Sequence, residues 1–497
     1  MVGKSLWAVA LVSLWVLFSS TSSAGEFSYT GLLRSETAFS TTRERTQPAD
    51  QGTPYDNEGR VLNLGALRFE VEGKYTFNSQ LSATGKLRSW GDWTNKLDHH
   101  YNRNADLFAG EMFPGNGWLL STTEGKNGVL DIPELYLDWT LENLWLRMGK
   151  QQNAWGHAIG MRILDDMISS LDVRRHGGTY DLGADEFLDQ RIGQLGIRGN
   201  LRIPNSDWEL ETVITDFTPT FIFPRGSAYA NVPGSVRLLN AEGVRKARDN
   251  PAYGLRLKGL VLDGQGDVTL AYTYRPQAIG VLQFDPAKDL GVLLNQGELT
   301  LRAQNPRISV VGGAFSYSIS TDPVGSFSFV DGLIARIEAA YYFNKKFTNS
   351  AAVAVDGLPP IPFAGKPIKK DELSLGIVLE KSHKFHPDWL ATLMIFEWWH
   401  RTKSDFNDRL QSLVGLHYWD WFLFSVSQNF MRNEIGVTLN TFYDTSGGWF
   451  LQPAFRWRPN DKYQVDLFYN WFDGGQKSVY GPLRPNKEFV MRLGYYF

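Results

Sequence analysis

Along most of the chain, apolar and polar residues alternate with a period of two. That period marks strands with one greasy face and one wet face. In Leu67-Arg68-Phe69-Glu70-Val71-Glu72-Gly73-Lys74-Tyr75 the apolar set is odd and the charged set even. Leu135, Leu137 and Trp139 alternate with Glu134, Tyr136 and Asp138. Ile337, Ala339 and Tyr341 alternate with Arg336 and Glu338, and Tyr463, Val465, Leu467 and Tyr469 with Gln464, Asp466 and Asn470. The connections switch between short and long. Phe77-Asn78-Ser79, Glu142-Asn143 and Pro459-Asn460-Asp461 read as tight turns, while 41–60, 93–129, 154–190 and 218–251 read as long loops. A soluble sandwich would also alternate, with one face wet. It has no reason to repeat the pattern over the whole chain with turns and loops on opposite ends. A strand-built span in lipid must close on itself, and short periplasmic turns with long extracellular loops are the outer-membrane habit.

The pattern therefore predicts an all-β fold, a transmembrane antiparallel outer-membrane β-barrel of about 18 strands, with 16 as the alternative count. The predicted strands are 28–40, 61–75, 80–91, 131–141, 144–152, 191–202, 207–216, 252–262, 267–276, 307–319, 332–343, 371–382, 389–400, 410–420, 432–443, 447–458, 461–471 and 486–497. Alternation is poorest in 277–306 and 401–431. The last strand is the clearest: Phe489, Met491, Leu493, Tyr495 and Phe497 form one face, and Val490, Arg492, Gly494 and Tyr496 the other. A terminal Phe497 with Tyr495 two residues before it resembles the signal read by the barrel assembly machinery.

Composition fits this picture. Mean hydropathy is -0.27, yet 14% of residues are aromatic, with 17 Trp, 20 Tyr and 31 Phe. Amphipathic rings of that number suit girdles at the two membrane interfaces. Lys4, the apolar run Leu6 to Phe18 and the small residues Ser22-Ser23-Ala24 read as a signal peptide, residues 1–24, cleaved after Ala24. The run is too short to span a bilayer. Residues 25–497 are expected to form one barrel, delivered to the Gram-negative outer membrane by Sec-type export, with outer-membrane lipid and lipopolysaccharide as surroundings. There are no cysteines, and a net charge of -3 points to no nucleic-acid partner.

The polar faces are expected to line the lumen. Candidates are Arg68, Glu70, Arg88, Glu134, Asp138, Arg147, Gln151, Arg198, Arg256, Lys258, Arg336, Glu338 and Arg492. Two readings stand: a web of cross-strand ion pairs that stiffens a wide barrel, or a charge-lined path for an anionic solute. In the third long loop, Ile163, Met167 and Leu171 recur at every fourth position with Leu164 and Ile168 beside them. This spacing predicts a short amphipathic helix near Met161 to Leu171 that folds into the mouth as a constriction formed by Met161, Ile163, Leu164, Met167 and Ile168. A solvated loop packed on its neighbours is the competing reading.

Enzyme signatures are weak. His99-His100 with Asp98 and Asp106, and the pair His383 and His386, lack a third ligand at a recognisable spacing, so no metal or cofactor is expected. No Gly-x-Ser-x-Gly elbow and no phosphate-cradling loop occurs, so no catalytic residues are assigned.

The run Leu144-Trp145-Leu146-Arg147-Met148-Gly149-Lys150-Gln151-Gln152-Asn153-Ala154-Trp155-Gly156, with Met161-Arg162-Ile163-Leu164-Asp165 after it, resembles an uncharacterised family of proteobacterial outer-membrane barrels, a domain of unknown function. Tyr253-Gly254-Leu255-Arg256-Leu257-Lys258 and Ala335-Arg336-Ile337-Glu338-Ala339-Ala340-Tyr341 are similar too. The resemblance implies an outer-membrane transport component. It also implies partners, because such genes sit near RND-type exporters and a periplasmic carrier of lipoprotein-carrier fold. The Gly149-Lys150-Gln151 element also resembles the alginate-export porins. The expectation is thus a porin-like channel for export or passage of a small or hydrophobic or anionic solute. A polysaccharide export porin, a plugged barrel acting as a binding or assembly platform, and a membrane-embedded enzyme are the alternatives.

Overall fold

The computed structural model describes residues 25–42, 58–100, 123–125, 127–156, 162–171, 191–219, 236–239, 251–320, 330–355, 358–361, 363–404, 410–411, 418–475 and 478–497. The expected signal peptide lies outside them. Eighteen strands form the wall. They are β1 (Glu26–Ser40), β2 (Leu62–Thr76), β3 (Leu81–Asp92), β4 (Gly128–Thr140), β5 (Leu144–Gln151) and β6 (Gln194–Arg202). The wall continues with β7 (Trp208–Thr215), β8 (Ala252–Val261), β9 (Gly266–Pro276), β10 (Arg307–Ile319), β11 (Leu333–Asn349) and β12 (Ile368–His383). It ends with β13 (Thr392–Lys403), β14 (Tyr418–Phe430), β15 (Ile435–Asp444), β16 (Gly448–Asn460), β17 (Tyr463–Asp473) and β18 (Glu488–Tyr496). Each pairs antiparallel with the next, and β1 pairs with β18 from Leu32↔Tyr496 to Ser40↔Glu488, so the sheet has no free edge.

The chain's end makes the seam. The Phe497 amide donates to the Gly31 carbonyl at 3.0 Å, and the Gly31 amide to the Phe497 carbonyl at 2.7 Å. The Phe497 ring lies over Gly31, where a Cβ would fall 2.2 Å from the ring, and beside Tyr495 with centroids 5.9 Å apart. A side chain at position 31 would displace the terminal ring.

Alternation sets which face is which. Leu67 is 41% exposed on the outside, whereas its neighbour Arg68 is 4% exposed on the inside. Outward aromatics gather near both rims, such as Tyr75 with Phe77 and Tyr463 with Tyr495 at the turn end, and Tyr341 with Phe343 and Tyr443 with Trp449 at the loop end. The long loops and the tight turns fall at opposite ends, with Gly25 and Phe497 at the turn end.

Two stretches differ from the sequence expectation. The fourteenth strand is Tyr418–Phe430 rather than 410–420. Its inner face carries Trp419, Trp421 and Leu423, so both faces are apolar and the alternation loses its phase there. In the loop 277–306 the structure has a helix, α1 (Pro286–Gln296). Asp285 caps it by accepting the Ala287 amide at 3.1 Å, Pro286 opens it, and Gly297 closes it in the left-handed region at φ 66°. Those three residues were a readable helix signal.

Candidate functional site

The inner wall is charged, and its charges meet one another across strands. Arg147 clamps Asp138 through Nε and Nη2 at 2.8 and 2.9 Å and stacks 3.6 Å from the Tyr136 ring centroid. Glu70 takes Arg68 and Lys86, both at 2.7 Å. Asp131 takes Arg88 at 2.7 Å and Lys150 at 3.5 Å. Glu211 bridges Arg198 at 3.0 Å and Arg256 at 2.6 Å, and Arg336 meets Glu380 at 2.6 Å. Arg492 is buried on the same face with its guanidinium 4.8 Å from the Phe468 ring centroid. The Glu134 carboxylate accepts the Gln152 amide at 3.3 Å, and buried Gln151 donates to the Gly196 carbonyl at 3.4 Å. Lys258 is half-buried and makes no ion pair among the described residues. Paired charges on neighbouring strands brace the wall; they do not form a ring of one sign.

The described part of the third long loop, 152–156 and 162–171 (here L3), enters this lumen. The amphipathic helix expected near Met161 to Leu171 is not what forms. Only Asp165–Met167 make a single 3-10 turn, and Leu171 instead bridges to Arg191. Met161 lies outside the described residues. Ile163, Leu164, Met167 and Ile168 are all buried, at 0 to 1% exposed. A helix would present one stripe; this turn points its apolar residues at several strands.

The wall is shaped to take them. At the level of the turn the inward residues of six consecutive strands are small: Val213 on β7, Gly254 on β8, Ala271 on β9, Gly312 on β10, Ala340 on β11 and Gly376 on β12. Ala271, Gly312 and Ala340 are direct cross-strand partners, as are Val213 and Gly254. A Cβ on Gly376 would come 2.6 Å from Ile163 Cδ1. One on Gly312 would come 2.4 Å from Met167 Sδ and 2.9 Å from Leu164 Cδ2. One on Gly254 would come 2.6 Å from the Trp155 ring and 2.9 Å from Ile168 Cδ1. The missing side chains are the sockets into which the loop fits. Their sequence signal was a glycine in the inward phase of an otherwise regular strand.

Polar anchors hold the segment. Asp165 accepts the amides of Trp155 and Gly156 at 2.6 and 2.8 Å and pairs with Arg191. Glu338 accepts the Leu164 amide at 3.2 Å. Arg275 donates through Nε to the Met167 carbonyl at 2.6 Å and also reaches the Asp166 carbonyl. Trp155, 1% exposed, donates its indole N–H to Glu211 at 2.7 Å. Of the expected residues, Arg198, Arg256 and Glu338 are thus brought to the loop. Glu211, Asp165, Arg191 and Arg275 were missed, because nothing in a strand or loop by itself says which ones will meet.

Facing the other side of the upper lumen is a second unexpected feature. Trp399 on β13, Trp419 and Trp421 on β14, Phe442 on β15, Phe450 on β16 and Phe472 on β17 all turn inward. Consecutive rings lie close: Trp399 to Trp419 at 4.8 Å, Trp421 to Phe442 at 4.9 Å, Phe442 to Phe450 at 5.2 Å and Phe450 to Phe472 at 4.8 Å. Tyr480, from the last long loop (474–487), caps the row. Below it Ser425, Asn440, Gln452, Asn470 and Glu488 form an unbroken chain of hydrogen bonds of 2.7 to 2.9 Å. The expectation of a polar lumen therefore needs correcting on this side. Aromatic content suits outer girdles equally well, and period alone cannot tell an inner ring from an outer one.

A closed antiparallel barrel with an apolar outside and a charged inside is a transmembrane barrel of the outer-membrane kind. The chain belongs to the family described as protein of unknown function (DUF1302), whose model matches residues 45–497. No curated protein sequence matches it. Similar solved structures include OccAB1 of Acinetobacter baumannii, at 8% identity over 95% of this chain and 96% of that one, TM-score 0.48. OpdK of Pseudomonas aeruginosa matches at 8% identity over 95% and 98%, TM-score 0.46. The outer membrane channel DcaP of Acinetobacter baumannii matches at 10% identity over 95% and 97%, TM-score 0.39. At such identities the likeness is one of fold.

Proposed function

We propose that the protein is an outer-membrane channel for a small apolar or amphipathic anionic solute, with L3 as its constriction. The observation that carries this reading is the seating of Ile163, Leu164, Met167 and Ile168 against a band of small inward residues. A wall merely closed by packing does not need glycines at three inward positions facing one loop. A segment held by side chains in shallow sockets narrows the pore without sealing it through the backbone. The lumen's ion pairs serve to hold the wide wall rigid around it. Transit to the membrane by Sec-type export and the barrel assembly machinery, which would read Tyr495 and Phe497, belongs to the same proposal. So does cooperation with an RND-type exporter and a periplasmic carrier, or polysaccharide passage of the alginate type.

The second reading is a plugged barrel used as a binding platform, favoured by the burial of the same segment. Single-channel recording on the purified, folded barrel separates the two. Stepwise ohmic conductance is expected; a barrel that inserts but stays silent refutes the channel.

A further inference from the structure

The aromatic row has one property that packing does not explain. The indole N–H groups of Trp399, Trp419 and Trp421 have no hydrogen-bond partner among the described residues, although all three rings are more than nine-tenths buried. A buried indole normally finds an acceptor, and two nearby tryptophans do. Trp155 donates to Glu211, and Trp398, one residue away on the outer face, donates to Asp420 at 2.9 Å. Three donors left over in one cluster of touching rings indicate that the cluster is matched to acceptors it does not itself contain.

A cation stands at the end of the row. The Arg401 guanidinium lies 4.3 Å from the Trp399 ring centroid. It donates to Ser374 Oγ at 3.1 Å, lies 3.4 Å from Glu372 and faces Asp166 of L3 only at 3.8 Å. Glu372 is also claimed by Lys345 at 2.7 Å, so its charge is shared. The looser partner of Arg401 is therefore a carboxylate carried by the constricting loop.

We infer that the face formed by Trp399, Trp419, Trp421 and Arg401 is a recognition site for an amphipathic monocarboxylate with a flat, apolar body. The rings contact the body, and the indole N–H groups share its carboxylate oxygens with Arg401, which takes them in place of Asp166. This rests on the channel reading and names its solute class. A sugar fits the face less well. The polar belt beneath, from Ser425 to Glu488, is already satisfied internally and offers no ring of free hydroxyl partners.

The test is equilibrium dialysis of 2-naphthoate against the folded barrel in detergent, with 2-naphthalenemethanol and maltose as comparison probes and KCl conductance recorded on the same preparations. Saturable one-to-one binding of 2-naphthoate is expected, weaker for the alcohol and absent for maltose. Trp419→Phe with Trp421→Phe keeps the rings and removes two donors. It should weaken binding roughly threefold to tenfold per N–H, as loss of a neutral hydrogen bond does. Arg401→Gln should weaken it by about tenfold or more, and Asp166→Asn should strengthen it by removing the competitor. Heat-modifiable gel mobility checks that each variant is folded. No saturable binding, binding unchanged in both the tryptophan pair and Arg401→Gln, or equal binding of maltose overturns the inference. A conducting barrel that ignores naphthoate refutes this site alone, and a silent barrel that binds it refutes the channel alone.

Discussion

Replacing Leu164 with Asp should release the constriction. Four buried side chains, Ile163, Leu164, Met167 and Ile168, contribute about 1.5 to 3 kcal/mol each to docking. The hydrogen bonds that Arg275 and Arg191 donate and Glu338 accepts contribute about 1 to 3 kcal/mol each. Ordering the backbone of 162–170 costs about 1 to 2 kcal/mol per residue. Gain and cost are of the same order, so a loss of several kcal/mol is enough to compete with docking. Leu164→Asp removes one apolar side chain from a fully buried site and places a carboxylate beside Glu338, which already accepts the Leu164 amide. Losing the transfer energy and burying an unpaired charge together cost about 5 kcal/mol or more. At 1.4 kcal/mol per power of ten, that shifts the ratio of docked to undocked loop by more than about a thousandfold. Planar-bilayer recording should show larger, noisier conductance steps than the parent, while gel mobility confirms a folded barrel. Identical step size and noise in a folded Leu164→Asp barrel would refute the account of L3.

Other outcomes follow from the same geometry. The chain has no cysteines, so Ile163→Cys with Gly376→Cys adds a single pair, placed where Ile163 Cγ1 lies 3.8 Å from a Cβ on 376. Oxidation should cross-link the two and lower conductance noise, with dithiothreitol restoring it. Gly31→Val should push Phe497 off the seam and lower the heat-modification midpoint by several degrees, whereas Gly264→Val, in a turn with open space, should cost less despite its positive φ. Removing a whole ion pair, Arg147→Ala with Asp138→Ala, should leave the reversal potential nearly unchanged because the pair carries no net charge; a large shift would restore the anion-path reading. Burial pushes the Asp98 carboxyl up, but the amides of Leu62, Val61 and His100 outweigh it and hold it below the usual carboxylate range. A lowered folded value means the stabilisation is present above about pH 4 and is lost as pH falls through the folded value. Asp98→Asn should thus speed trypsin cleavage after Lys96 at neutral pH, where the parent carboxylate still holds the three amides; a rate equal to the parent's would refute this role.

How far the site could be read in advance depended on the range of the interaction. Arg198, Arg256 and Glu338 were placed on the inner face because each sits in the charged phase of a clear strand. Glu211, the partner of Arg198 and Arg256, escaped, although it lies in β7 in the same phase, because choosing it requires knowing that β6, β7 and β8 are neighbours at that height. The apolar residues of L3 were picked out by their spacing. The helix inferred from that spacing was wrong because a period of four describes one flat partner, whereas Ile163, Leu164, Met167 and Ile168 reach three sockets on a curved wall.

The sequence by itself determined the barrel: a chain of about eighteen strands, their inside and outside faces, and the alternation of short turns with long loops. Lipid outside and water inside impose a local rule on every second residue, and a local rule is written in the chain. Only the tertiary structure decided that Gly254, Gly312 and Gly376 are sockets, that L3 fills them, and that Trp399, Trp419 and Trp421 turn inward to meet Arg401. Those facts depend on which strands stand opposite each other across the lumen. Residues far apart in the chain meet there, and no period along it records the meeting.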